Sequence, residues 1–66
     1  MKAMINGEPR EFASEITFAE LLDHLGVAPS GIAVARNDRV LRRSAFAEER
    51  ICEGDRIEII RAVAGG

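Results

Sequence analysis

One stretch near the middle of this 66-residue chain carries helix signals at both of its ends, and the segments around it read as strands and turns. Thr17 and Glu20 form a threonine-x-x-glutamate capping box, which satisfies two of the amides left without partners at a helix start. Ile16 before the cap and Leu21 at the fourth helical position make the hydrophobic-staple pair. Phe18, Leu21, Leu22 and Leu25 then recur at helical spacing as a single apolar stripe. Gly26 is placed to close the helix, and Pro29 stands beyond it as a stop. A helix with one apolar stripe needs a second layer to cover it, and only strands remain to build that layer.

Residues 1–5 read as the first strand, and Asn6-Gly7 is a strong hairpin signal. Pro9 biases Glu8 toward an extended conformation, and Arg10 to Ala13 would return antiparallel with Phe12 as the large apolar contact. Ile32 to Ala35 is a continuous apolar run, the pattern of a strand buried on both faces. Asn37-Asp38 is turn-prone and would let Val40-Leu41 pair back, while 43–50 reads as a short crossover anchored by Phe46. Gly54-Asp55 turns the chain into the final strand. There Ile57 and Ile59 supply the core beneath the helix. Ile60 and Ala62, on the other phase, are either covered by a neighbouring segment or form an exposed apolar patch of the kind that binds proteins. The expectation is an α+β roll: a mixed sheet with one main helix across one face, and first and last strands parallel and adjacent.

Size and composition narrow the function classes. Sixty-six residues make one domain, residues 1–66, with no room for a deep catalytic cleft. No apolar run approaches the ~20 residues of a membrane span, and the first residues lack the apolar stretch of a signal peptide. A lone cysteine, Cys52, allows no internal disulfide, and with these features it points to the cytoplasm. Cys52 reads as a small half-buried hydrophobe in an acidic turn unsuited to a reactive thiol. His24, the only histidine, falls off the apolar stripe with no second ligand at metal spacing, so it reads as solvated surface. A net charge of −2 and the absence of Tyr and Trp argue against nucleic acid as a partner. Arg36, Arg39, Arg42 and Arg43 read first as a solvated face, or else as a contact for an acidic partner.

The chain ends in Gly65-Gly66 directly after the apolar run. Two residues without side chains leave the final carbonyl unshielded, and glycine permits close approach to another backbone. A flexible tail at about residues 64–66 could thread a narrow channel and present its ionised carboxylate to a partner's catalytic groups.

These pieces, in this order, resemble the ThiS-type sulfur carrier proteins, over essentially the whole chain. The resemblance rests on the Asn6-Gly7 turn, Thr17-x-x-Glu20-Leu21-Leu22, the apolar strand ending at Asn37, and Arg43 ahead of Phe46. It continues through Gly54-Asp55, the Ile-rich strand and Val63-Ala64-Gly65-Gly66. Members often have proline where Arg42 stands and tryptophan where Phe46 stands. The resemblance implies a ubiquitin-like β-grasp roll that is not an enzyme but a protein cosubstrate in the thiazole branch of thiamine biosynthesis. It further implies that a ThiF-type adenylyltransferase, using ATP and Mg2+, joins the Gly66 carboxylate to AMP. A persulfide donor, a cysteine desulfurase or rhodanese-like protein, then displaces AMP to leave a thiocarboxylate for a ThiG-type thiazole synthase. On this view no cofactor or metal is held by the chain itself and no residue is catalytic. Gly66 is the adenylation and thiocarboxylate site, Gly65 gives reach, and Ile60, Ala62, Val63, Ala64, Arg43 and Phe46 are docking candidates.

Two rivals share the tail chemistry. A MoaD-type carrier of molybdopterin synthesis tends to be longer, with prolines before its final glycines where this chain has Arg61-Ala62. A ubiquitin-like modifier would be attached to lysines of targets, and Lys2 as the only internal lysine argues against chain building.

Overall fold

Two hairpins and a helix are joined by a central strand in the computed structural model, which describes residues 1–61. The elements are β1 (Lys2–Ile5), β2 (Glu8–Glu11), α1 (Phe18–Leu25), β3 (Ile32–Arg36), β4 (Arg39–Leu41), a 3-10 turn (Arg43–Ala45) and β5 (Arg56–Arg61). The sheet order is β2-β1-β5-β3-β4, with β5 parallel to β1 and antiparallel to β3. The expected mixed α+β roll, with its first and last strands side by side and parallel, is the architecture found.

Both hairpin turns use residues that tolerate positive φ. Asn6 and Gly7 sit at φ 51° and 83°, Asn37 and Asp38 at 49° and 70°, so each turn twists with the strands it joins. The return strand begins at Glu8, directly after the first turn, rather than at Arg10. Pro9 costs no ladder bond because β2 is an edge strand. Phe12 lies just past β2, where its amide donates to the Met1 carbonyl at 2.8 Å and its ring packs against the core.

The helix begins as its capping box dictates: Thr17 Oγ1 accepts the Glu20 amide at 3.1 Å, and the Glu20 carboxylate accepts the Thr17 amide at 2.8 Å. The two remaining first-turn amides are met by the crossover. Phe18 donates to the Glu49 carbonyl at 3.2 Å and Ala19 to the Phe46 carbonyl at 2.9 Å. At the other end Gly26, left-handed at φ 69°, lets Val27 donate back to the Leu22 carbonyl at 2.9 Å, a Schellman closure.

Phe18, Leu21 and Leu22 of the helix pack on Ala3 and Ile5 of β1, Val34 of β3 and Ile57 of β5, with Phe46 and Ile51 of the crossover closing the core. One correction concerns β3. Its apolar run is not buried on both faces: Val34 is buried, but Ala33 is exposed and Ile32 and Ala35 are half-buried. A single helix covers only one side of the sheet, and alanine loses little by facing water, so the run misread as doubly covered. His24 is exposed, as its position off the stripe required.

Candidate functional site

The strand that leads to the C-terminus lies at the centre of the sheet. On its β3 side the ladder runs the whole length of the strand, from Arg36–Ile57 to Ile32–Arg61. On its β1 side the ladder has only two pairs, Met4–Arg56 and Ile5–Ile57. Ile57 and Ile59 point to the helix, Ile57 fully buried and Ile59 partly so. Ile60 points the other way and is 57% exposed.

The register places Ile60 opposite the exposed Ala33, and Ala35 opposite Val40, which is 79% exposed. These side chains form an uncovered apolar strip on the face away from the helix. Glu58 stands opposite Ala35 on the same face, so the strip has an acidic neighbour. Of the two outcomes left open for Ile60, the structure selects exposure. Ala62, Val63, Ala64, Gly65 and Gly66, the remaining expected docking and tail residues, lie outside the described residues.

Arg43 and Phe46 are not brought to that strip. Both belong to the crossover on the helix side, where they border a groove with Leu22, Val27 and Pro29. Phe46 is 5% exposed and its ring is committed to the core, whereas Arg43 is exposed at the rim. The sheet separates these two docking candidates from Ile60.

Polar contacts invisible in the sequence fix the start of β5. Asp55, buried, accepts from the Cys52 amide at 2.7 Å, the Asn37 side chain at 3.1 Å and Arg36 Nε at 3.1 Å. Burial by itself would push the Asp55 carboxyl up, but the Cys52 amide, Asn37 and Arg36 outweigh it and hold the group below its ordinary value. Arg36 also donates to Glu49 at 3.0 Å, to the Arg50 carbonyl at 2.9 Å and to Cys52 Sγ at 3.2 Å, and lies over the Phe18 ring. Arg36 is therefore not part of a solvated arginine face; it ties β3 to the crossover. Cys52 is exposed rather than half-buried, because the core position in this segment is taken by Ile51.

Two asparagines flank β5 with their carboxamides. Asn37 Oδ1 accepts the Arg56 amide at 2.9 Å, and Asn6 Oδ1 accepts the Ile59 amide at 2.8 Å. The sequence marked both residues as turn formers, and nothing in a single chain signals the second role. Among the described residues there is no cluster of His, Cys, Asp and Glu able to hold a metal ion. No helix of the described residues is long and apolar enough to cross a membrane.

Comparison with known proteins adds sequence and structural likeness to this geometry. The model of the ThiS family matches residues 3–66. The sulfur carrier protein ThiS of Escherichia coli is 30% identical over 66 residues, which is the full length of both chains. The thiazole synthase of Paramagnetospirillum magneticum is 39% identical over all of this chain, and that of Magnetococcus marinus is 38% identical. The chain spans about one fifth of the length of these two synthases (20% of each). A crystal structure of the thiamine biosynthesis protein ThiS from Geobacter metallireducens superposes with a TM-score of 0.85 at 32% identity, each chain covered completely.

Proposed function

The chain belongs to the ThiS family, and from that premise we propose that Gly66 is the atom-bearing end of a sulfur relay. The protein is a sulfur carrier for thiamine biosynthesis, a cosubstrate rather than a catalyst. The observation that carries the reading is that the family match runs to residue 66 and so spans the glycine pair.

A carboxylate resists nucleophiles because its oxygen leaves poorly, whereas an acyl adenylate carries a good leaving group. The ionised Gly66 carboxylate attacks the α-phosphorus of ATP on a ThiF-type adenylyltransferase, and pyrophosphate departs. ATP and Mg2+ belong to that partner. A persulfide sulfur, from a cysteine desulfurase or rhodanese-like donor, attacks the acyl carbon and AMP leaves. A thiol then attacks the donor's sulfur in the resulting acyl disulfide, forming a new disulfide with the donor and freeing the thiocarboxylate, a better nucleophile than the oxygen acid. The recipient is a ThiG-type thiazole synthase. That partner is supported by two thiazole synthases that match this whole chain within one polypeptide.

In this reading Ile60, with Ala33 and Val40, is the docking strip. Ala62, Val63 and Ala64 extend the contact along the chain, and Arg43 and the Phe46 edge offer a separate one on the helix side. The cycle takes place in the cytoplasm, in keeping with a single, unpaired cysteine.

The test is the intact mass after incubation with ATP, Mg2+, the adenylyltransferase and a persulfide donor. The expected gain is the difference between one sulfur and one oxygen atom, and its absence from an otherwise active mixture overturns the proposal. Copurification with a molybdopterin synthase large subunit in place of thiazole synthase would redirect the sulfur to the other pathway.

A further inference from the structure

We propose that Asn6 is a positioning residue that holds the distal half of β5, and with it the exposed Ile60, in the register a partner meets; the inference rests on the sulfur-carrier reading. Beyond Ile57, β5 has no strand beside it on the β1 side, because β1 ends at Ile5 and the chain turns away into β2. The side chain of Asn6 takes the place of the departed backbone. Its own amide donates to the Ile57 carbonyl at 2.8 Å, Oδ1 accepts the Ile59 amide at 2.8 Å, and Nδ2 lies 3.5 Å from the Ile59 carbonyl. A carboxamide carries donor and acceptor on one planar group, as a peptide does, so it extends the ladder by one more rung.

The requirement for asparagine has two parts. The residue must accept φ 51°, which side chains other than asparagine and aspartate seldom tolerate. It must also reach across with an acceptor for the Ile59 amide, the shorter of the two side-chain contacts, which aspartate keeps and glycine lacks. Asn37 repeats the device on the opposite flank, with φ 49°, its amide on the Arg56 carbonyl at 2.8 Å and Oδ1 on the Arg56 amide. Asn37 grips the beginning of β5, where the Asp55 network already holds it. Asn6 grips the distal half, one residue before the exposed Ile60. Without the carboxamide, that half is held by the β3 ladder alone, and Ile60 meets a partner in its docking register in only a fraction of molecules.

Asn6→Gly separates this role from turn formation, since glycine keeps the positive φ and removes the carboxamide. Asn6→Asp keeps the acceptor for Ile59. In Asn6→Gly, hydrogen exchange of the Ile59 amide is expected to accelerate about tenfold or more, with the melting temperature nearly unchanged. In steady-state pyrophosphate release with a ThiF-type adenylyltransferase, ATP and Mg2+, well below melting, its KM is expected to rise about tenfold while kcat stays within about twofold. Asn6→Asp recovers most of both effects. An unchanged KM despite faster Ile59 exchange overturns the positioning role, and unchanged exchange overturns the clamp on which it depends. If the wild-type protein releases no pyrophosphate, the carrier reading falls and takes the positioning role with it, whatever the exchange data show.

Discussion

Asp55 is the buried carboxylate around which the start of β5 is organised. Its carboxylate holds Arg36, Asn37 and the Cys52 amide together at the foot of β5. Removing it leaves a part-buried guanidinium and two donors without their partner. Asp55→Ala is therefore expected to cost about 2–3 kcal/mol, read as a lowered midpoint in urea. The same contacts set a pH dependence. The folded-state pKa of Asp55 is depressed below its ordinary 3.8, so its contribution is complete above that value and is lost as pH falls through the folded pKa. Acid titrations of stability should be flatter for Asp55→Asn than for wild type below about pH 4; equal slopes would show that the network does not respond to the carboxyl charge. None of this was readable in the sequence, where Gly54-Asp55 is an ordinary turn and Arg36 one of several arginines. Arg36 and Asn37 lie 18–19 residues from Asp55, and only the folded register makes them its neighbours.

At the scale of elements, the readable parts were those whose signals are local. The capping box, the glycine closure and both asparagine turns are specified within four residues or fewer, and each was found where expected. Thr17→Ala should cost about 1 kcal/mol, and a Thr17→Ser control should recover most of it in the same thermal melts. Leu21, fully buried, is a stricter case: Leu21→Ala should remove about 2–5 kcal/mol and leave the chain marginally folded. What could not be read was the meeting of distant elements. The crossover carbonyls of Phe46 and Glu49 complete the helix start, a role carried by backbone and so independent of side-chain identity. The β3 run misled for a related reason: four apolar residues in a row are compatible with either one covered face or two, and the number of helices decides.

For the molecule, the core of helix, sheet and crossover builds a platform whose far face carries the exposed Ile60. Ile60→Asp places a charge on an exposed position, so the melting temperature should move little while KM for the adenylyltransferase rises. A large loss of stability in that variant would place Ile60 in the core after all. Deletion of Gly65-Gly66 should abolish thiocarboxylate formation with the melting curve preserved, and residual product would contradict the assignment of Gly66. The order of strands has a consequence of its own. The β1–β2 and β3–β4 hairpins are each local in sequence, yet they touch no common ladder except β5. The segments of both hairpins precede β5 in the chain, so a polypeptide ended before β5 lacks the strand that joins the two halves of the sheet. The last strand to be made is therefore the one on which closure of the whole sheet depends.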